Sequence, residues 1–230
     1  MGNLYLIATP IGNLGDITLR ALETLKKVDL VLCEDTRKTG FLLNHYQISK
    51  PLLSYFEHNE LKRIPEVLTM LEKGKEIALV SDAGTPLISD PGFKLVRETL
   101  QAGANVIPIP GPSSVLAALI SSGFPTDKFL FLGYLPRTSG KKEKVIREVP
   151  KETSVIFFES PFRIINSLEM IYKVYGDIEI FIGRELTKVY EEKSRGTALS
   201  LIEKFKKSKP RGEFVAIFNI SKELPENQGQ

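Results

Sequence analysis

Short apolar runs alternate with amphipathic stretches along the first half of the chain. Residues 4–8, Leu-Tyr-Leu-Ile-Ala, read as a buried strand. A turn bearing Pro10, Gly12 and Gly15 follows, and a helix starts near Asp16 with Leu19, Leu22 and Leu25 at helical spacing. Either Asp16 or Thr18 is expected to cap that helix. Further strands are expected at 28–33, 51–56, 76–80 and 105–110, each followed by a helical pattern. Five strands alternating with helices predict an α/β fold with a parallel, doubly wound sheet.

The strand exits share a character. Residues 34–39 are Glu-Asp-Thr-Arg-Lys-Thr, residues 57–60 are Glu-His-Asn-Glu, and residues 81–92 are almost all small, turn-forming or capping. The fifth strand exits through Gly111-Pro112-Ser113-Ser114 into a helix over 115–121. Open α/β sheets bind ligands outside the carboxyl ends of their strands, so these exits are the first place to look for a site. The first turn is neither a dinucleotide fingerprint, since Gly12 and Gly15 do not complete G-x-G-x-x-G, nor a P-loop, since no Lys-Ser or Lys-Thr closes it.

Beyond a linker at 123–127 the pattern changes. Strands are expected at 129–133, 153–158, 179–183, 188–195 and 213–220, with a helix over 161–175. Only Arg184-Glu185-Leu186-Thr187 separate two of these strands, which implies an antiparallel pair and a mixed sheet. The expected domains are 1–118 and 119–222, with a flexible tail at 223–230.

Composition is that of an ordinary globular protein, 42% hydrophobic and 26% charged over 230 residues. The net charge of +3 is unevenly spread: 12 basic and 13 acidic residues precede Val115, and 19 and 15 follow from there. One basic cluster lies within 137–151 and another comprises Lys204, Lys206, Lys207, Lys209 and Arg211, a distribution that suits a polyanion or a solvated face. The single cysteine, Cys33, reads as a buried hydrophobe, and two histidines without a cysteine cluster argue against a metal site. His45 reads as a structural helix residue and His58 as the more exposed of the two. With no long apolar stretch and no signal-peptide pattern, a cytoplasmic protein without a membrane span is expected.

The motifs together resemble those of the tetrapyrrole methylase superfamily, the class III methyltransferases, and within it the enzymes that modify small-subunit ribosomal RNA. The resemblance rests on Ala8-Thr9-Pro10-Ile11-Gly12-Asn13-Leu14-Gly15-Asp16, Cys33-Glu34-Asp35-Thr36-Arg37, Glu57-His58-Asn59-Glu60 and Ser81-Asp82-Ala83-Gly84-Thr85-Pro86. It continues through Pro110-Gly111-Pro112-Ser113-Ser114, Gly133-Tyr134-Leu135-Pro136-Arg137, Phe158-Glu159-Ser160-Pro161 and Gly183-Arg184-Glu185-Leu186-Thr187-Lys188, in that order. It implies a two-domain tetrapyrrole methylase-like fold, a homodimer, and S-adenosyl-L-methionine in a cleft between the domains. The implied reaction is methyl transfer to the ribose 2'-hydroxyl of a decoding-centre cytidine, on 16S RNA or the assembled 30S subunit. Cofactor contacts implied by position are Pro10, Asp82, Ala83, Gly84, Thr85, Pro86, Ser113 and Ser114, with Phe158, Gly183, Gly212 and Glu213 on the adenosine side. Relatives often continue past the second domain, so an extension that grips RNA is expected to be missing.

Methyl transfer is an in-line displacement that needs near-attack geometry and removal of a hydroxyl proton. Candidates near the reaction are Asp35, Arg37, Arg184 and Glu185, with Asp35 or Glu185 as proton acceptor. Asp82 could instead cap its turn, and Glu34, Asp35 and Arg37 could pair among themselves. Tyr134, Arg137, Lys141, Lys142 and Lys144 combine an aromatic with cations, as an RNA contact or a solvated loop. The rival readings are the same fold acting on a tetrapyrrole or a protein side chain, and a non-enzymatic RNA- or ribosome-binding protein.

Overall fold

The computed structural model describes residues 1–220; the expected tail at 223–230 lies outside the described residues. The chain divides into two compact units, Met1–Ser113 and Ser114 onward.

In the first unit, strands β1 (Asn3–Ile7), β2 (Leu30–Cys33), β3 (Leu52–Ser54), β4 (Ile77–Leu79) and β5 (Asn105–Ile109) form a sheet in the order β3-β2-β4-β1-β5, with every pair parallel. Residues alternate between two cores along each central strand. Val31, Cys33 and Ala78 enter one core with Ile7, while Leu32, Ile77 and Leu79 enter the other with Leu4. The first core receives Ala21 and Leu25 of α1 (Leu19–Lys27) and Leu43 of α2 (Thr36–His45). The second receives Ile64, Val67 and Leu71 of α3 (Glu60–Glu72) and Leu95 of α4 (Phe93–Gln101). Helices therefore cover both faces, which is why the strands read as continuous apolar runs. Thr18, not Asp16, caps α1, its side chain accepting from the Ala21 N–H at 3.1 Å; Asp16 ends a short 3-10 turn, Leu14–Asp16.

The second unit opens with α5 (Ser114–Ser122), followed by β6 (Phe129–Tyr134), α6 (Ser139–Arg147), β7 (Ser154–Glu159), α7 (Ile164–Tyr175), β8 (Glu179–Arg184), β9 (Glu192–Thr197), α8 (Ala198–Ser208) and β10 (Phe214–Asn219). Its sheet runs β6-β7-β10-β8-β9; β6 and β7 are parallel and the remaining pairs antiparallel, giving a mixed sheet. Side chains of α6, α7 and α8 pack on Phe157, Ile182, Phe214 and Phe218. Helix α5 contacts β7, β8 and β10. Their other buried residues include Ile156, Phe181, Val215 and Ile217. This packing assigns α5 to the second unit, so the division falls after Ser113 and not at Ala118. The strand expected at 188–195 starts later, at Glu192, because residues 188–191 form a further turn in which the Glu191 N–H donates to Lys188 O at 3.1 Å. Among the described residues no helix is long and apolar enough to cross a membrane.

Candidate active site

In a parallel sheet all strands exit at one edge, and the order β2-β4-β1 puts three polar exits side by side. The turn after β1 and the loop after β4 are joined by a two-way bridge, with Thr9 N–H donating to Gly84 O and Gly84 N–H to Thr9 O, both at 2.9 Å. Thr9 Oγ1 also donates to Ser81 O at 3.2 Å. Gly84 sits at φ +82°, and a Cβ there would meet Ile11 Cγ2 at 3.3 Å, so glycine relieves both strain and crowding. Gly111 has a different reason: its absent side chain lets the β5 exit approach Ala8, whose Cβ would lie 3.1 Å from an added Cβ. Thr85 Oγ1 donates to Pro112 O at 3.1 Å and ties the two loops together.

Asp82 connects the exits of β4 and β2. Its Oδ1 accepts from the Asp35 N–H at 3.1 Å, and its Oδ2 pairs with Lys38 Nζ at 2.7 Å. Asp35 caps α2 by accepting from the Arg37 N–H at 2.9 Å, and its carboxylate also holds the guanidinium through Nε and Nη2. These bonds from the Arg37 side chain and backbone hold the Asp35 carboxyl far below the usual range, which makes it a poor proton acceptor. Around this pair lies an open pocket of about 530 Å³, lined by Thr9, Pro10 and Leu14 on one side and Asp35, Arg37, Lys38, Phe41 and Asp82 among the others. That volume is within the range of small-molecule sites, about 300–1,000 Å³.

Two further carboxyls border Asp82. Burial pushes Glu34 up, helped by the charges of Asp90 and Asp82, and its Oε1 is buried without a hydrogen-bond partner. Burial also pushes Asp90 up, against a hydrogen bond with Ser81. Asp90 escaped the sequence reading because it lies at the far end of the loop after β4, where any of several acidic or hydroxyl residues could have been a plain turn former. Cys33 is fully buried, in keeping with its reading as a small hydrophobe.

The second unit gathers a different subset. Glu185 N–H donates to Glu213 O at 3.0 Å, while Glu185 Oε1 accepts from the Glu213 N–H at 2.9 Å and from Lys188 Nζ at 2.9 Å. Partial burial pushes the Glu185 carboxyl up, but the Glu213 N–H and Lys188 outweigh it, and the net direction is down. Glu185 is thus already committed to its neighbours, as is Arg184, paired to Glu192 at 3.0 Å. Gly212, at φ +86°, makes room for the Glu185 side chain, which an added Cβ would meet at 2.5 Å. Gly183 leaves space for Leu186, whose side chain an added Cβ would meet at 3.0 Å.

Phe158 packs edge-to-face with Phe131 and Tyr134, ring centroids 4.9 and 5.6 Å apart, and Tyr134 stays exposed. Arg137, Lys141 and Lys144 are exposed as expected of phosphate contacts. Lys142 is not: it is 1% exposed, with Nζ donating to Asn166 Oδ1 at 2.8 Å and Ser167 Oγ at 3.0 Å. Helical periodicity turns Lys142 inward with Ile146 while its neighbours face water, which removes it from the RNA-facing set.

The model of the tetrapyrrole (corrin/porphyrin) methylases matches residues 3–202. A ribosomal RNA small subunit methyltransferase I from Thermotoga maritima is 50% identical over 220 residues, 95% of this chain and 99% of that protein. The Bacillus subtilis protein of the same name is 45% identical over 218 residues, 94% of this chain and 75% of its own length. A uroporphyrin-III-C-methyltransferase structure from Thermus thermophilus superposes with a TM-score of 0.69 over 94% of each chain at 16% identity, a likeness of fold alone. The chain belongs to the tetrapyrrole methylase family, within the group of its ribosomal RNA small subunit methyltransferase I members.

Proposed function

We propose that the chain is an S-adenosylmethionine-dependent methyltransferase that modifies the ribose 2'-hydroxyl of a cytidine in small-subunit ribosomal RNA, as a homodimer in the cytoplasm. The observation that carries the reading is the 50% identity, over 95% of the chain, to a relative named for that ribosomal substrate class. The first-unit pocket supports it, because its volume suits a small molecule and apolar Pro10, Leu14 and Leu42 line it beside the paired Asp35 and Asp82.

In this reading Pro10 and the loop 82–86 hold the methionine end of the cofactor, with Ser113 and Ser114 as further contacts. Phe158, Gly183, Gly212 and Glu213 serve its adenosine side. When bound, S-adenosylmethionine would supply a sulfonium methyl group for in-line transfer to the ribose oxygen, whose proton would pass to solvent water. Asp82 orients the Asp35 backbone and Lys38, so one carboxylate positions both donor and acceptor sides of the pocket. Asp35 and Glu185, both held below ordinary carboxylate values, orient groups and are poor acceptors of the proton. Arg37, Arg184, Tyr134, Arg137, Lys141 and Lys144 contact RNA.

Calorimetric titration of S-adenosylmethionine into wild type and Asp82→Ala, followed by mapping of labelled methyl groups on small-subunit RNA, tests the reading. Micromolar binding weakened at least tenfold in the variant, with label on a cytidine ribose, is the expected result. Label on protein or tetrapyrrole, or no transfer to RNA or subunits, would overturn it.

A further inference from the structure

One side of the first-unit pocket carries none of the proposed loop and turn contacts to the cofactor. It is made by α2, whose first turns place Arg37, Lys38 and Phe41 along one flank, since residues three and four apart are neighbours on a helix. The Phe41 ring is 66% exposed, an unusual state for a large aromatic that lines a cavity. Burial elsewhere does not require it: α2 packs on the sheet through Leu42 and Leu43, and both are buried. Arg37 has 89% of its side chain exposed although Asp35 holds it through Nε and Nη2, and Lys38 has 63% exposed although it pairs with Asp82. Two oriented cations and an exposed ring therefore rim a pocket whose inner wall carries Pro10 and Asp82.

An exposed aromatic beside fixed cations suits a nucleotide, with the base on the ring and phosphates on the cations. A ribose hydroxyl inside a stacked strand cannot reach a recessed wall, so a nucleotide must be splayed out of its stack to enter. Arg37 and Lys38 keep most of their side chains exposed at the rim, so phosphates fit there rather than beside the Asp35 and Asp82 carboxylates. We propose that this pocket receives the extruded acceptor nucleotide of a single-stranded RNA segment, with its base stacked on Phe41 and its flanking phosphates on Arg37 and Lys38. The inference rests on the RNA methyltransferase reading and adds the acceptor's own binding site. It places that site on the first unit.

The test compares wild type, Phe41→Ala and Phe41→Trp with small ribosomal subunits as acceptor, measuring KM for subunits, Kd for S-adenosylmethionine and oligomeric mass by light scattering. A single-stranded RNA oligonucleotide carrying 2-aminopurine reports stacking directly. Loss of one base–aromatic stack corresponds to a rise of about 5- to 150-fold in KM for subunits in Phe41→Ala. Phe41→Trp should restore KM and quench 2-aminopurine, and the cofactor Kd and the mass should not move. An unchanged KM in Phe41→Ala with an active wild type overturns the pocket assignment alone. A weakened cofactor Kd would place the cofactor's adenine on Phe41, and a changed mass would place a second copy there; either overturns it too. Absence of methyl transfer by wild type to any RNA or subunit would instead overturn the underlying reading.

Discussion

Replacing Lys142 with methionine removes a cation that the second unit keeps in its interior. Its ammonium donates to Asn166 Oδ1 and Ser167 Oγ at 2.8 and 3.0 Å. Ser167 in turn donates to Glu159 Oε2 at 2.6 Å, and Glu159 Oε1 is held by the Ser160 N–H at 2.9 Å and by Arg163 at 3.2 Å. Hydrogen bonds from a charged donor contribute about 1.5–3 kcal/mol each, and methionine recovers part of that by filling the same space without a buried charge. The expected net loss is about 1–3 kcal/mol, a fall of about 0.5–1.5 M in the urea midpoint for a slope of about 2 kcal/mol/M. Circular dichroism is the suitable probe, since the chain has no tryptophan.

Burial pushes Lys142 below the ordinary lysine value of 10.5, against the pull of Glu159. The unfolded chain then holds this proton more tightly than the fold does, so this group adds stability as pH rises through the window below 10.5. The methionine variant lacks that rise, and its deficit against wild type should widen toward alkaline pH. The salt slope of RNA binding should stay as in wild type, whereas Lys141→Ala should flatten it by about 0.7 for a single-strand contact. Unchanged stability together with a flattened slope in Lys142→Met would refute the buried assignment and make Lys142 a phosphate contact.

Gly84→Ala should destabilise by about 1–3 kcal/mol, the ordinary cost of a left-handed non-glycine residue, and weaken cofactor binding because the Thr9–Gly84 bridge must shift; thermal melting and calorimetry read the two effects. Glu34→Gln should stabilise at neutral pH. Burial raises the folded carboxyl above its unfolded value of 4.5, so ionisation costs stability as pH rises through the window above 4.5; the gain over wild type should vanish below it, as a pH series of melting temperatures would show. Arg163→Ala removes donors to the Leu135 and Pro136 carbonyls and a partner of buried Glu159. It should cost about 3–5 kcal/mol of second-unit stability in urea unfolding.

Local pattern and turn chemistry carried most of the fold. Leu4, Ile7, Val31 and Leu79 sit in strands buried on both faces, and such strands announce themselves as apolar runs whatever they pack against. Helix α8 hides behind its lysines: Lys204, Lys206 and Lys207 read as a basic cluster, while Leu201, Ile202 and Phe205 of the same stretch face the core. The motifs also sufficed to suggest the family, since their order along the chain is itself a specific signal. They did not show what each polar residue touches. Asp82 reaches Asp35 and Lys38 across more than forty positions because parallel strand order makes β2 and β4 neighbours, a fact of sheet topology that local sequence does not encode. Strand order likewise presses the β1 turn against Gly84 and Gly111. Lys141 and Lys142 are the same residue type one position apart, yet one meets water and the other a buried hydroxyl, because a helix turns about 100° per residue and only packing selects the face that is buried.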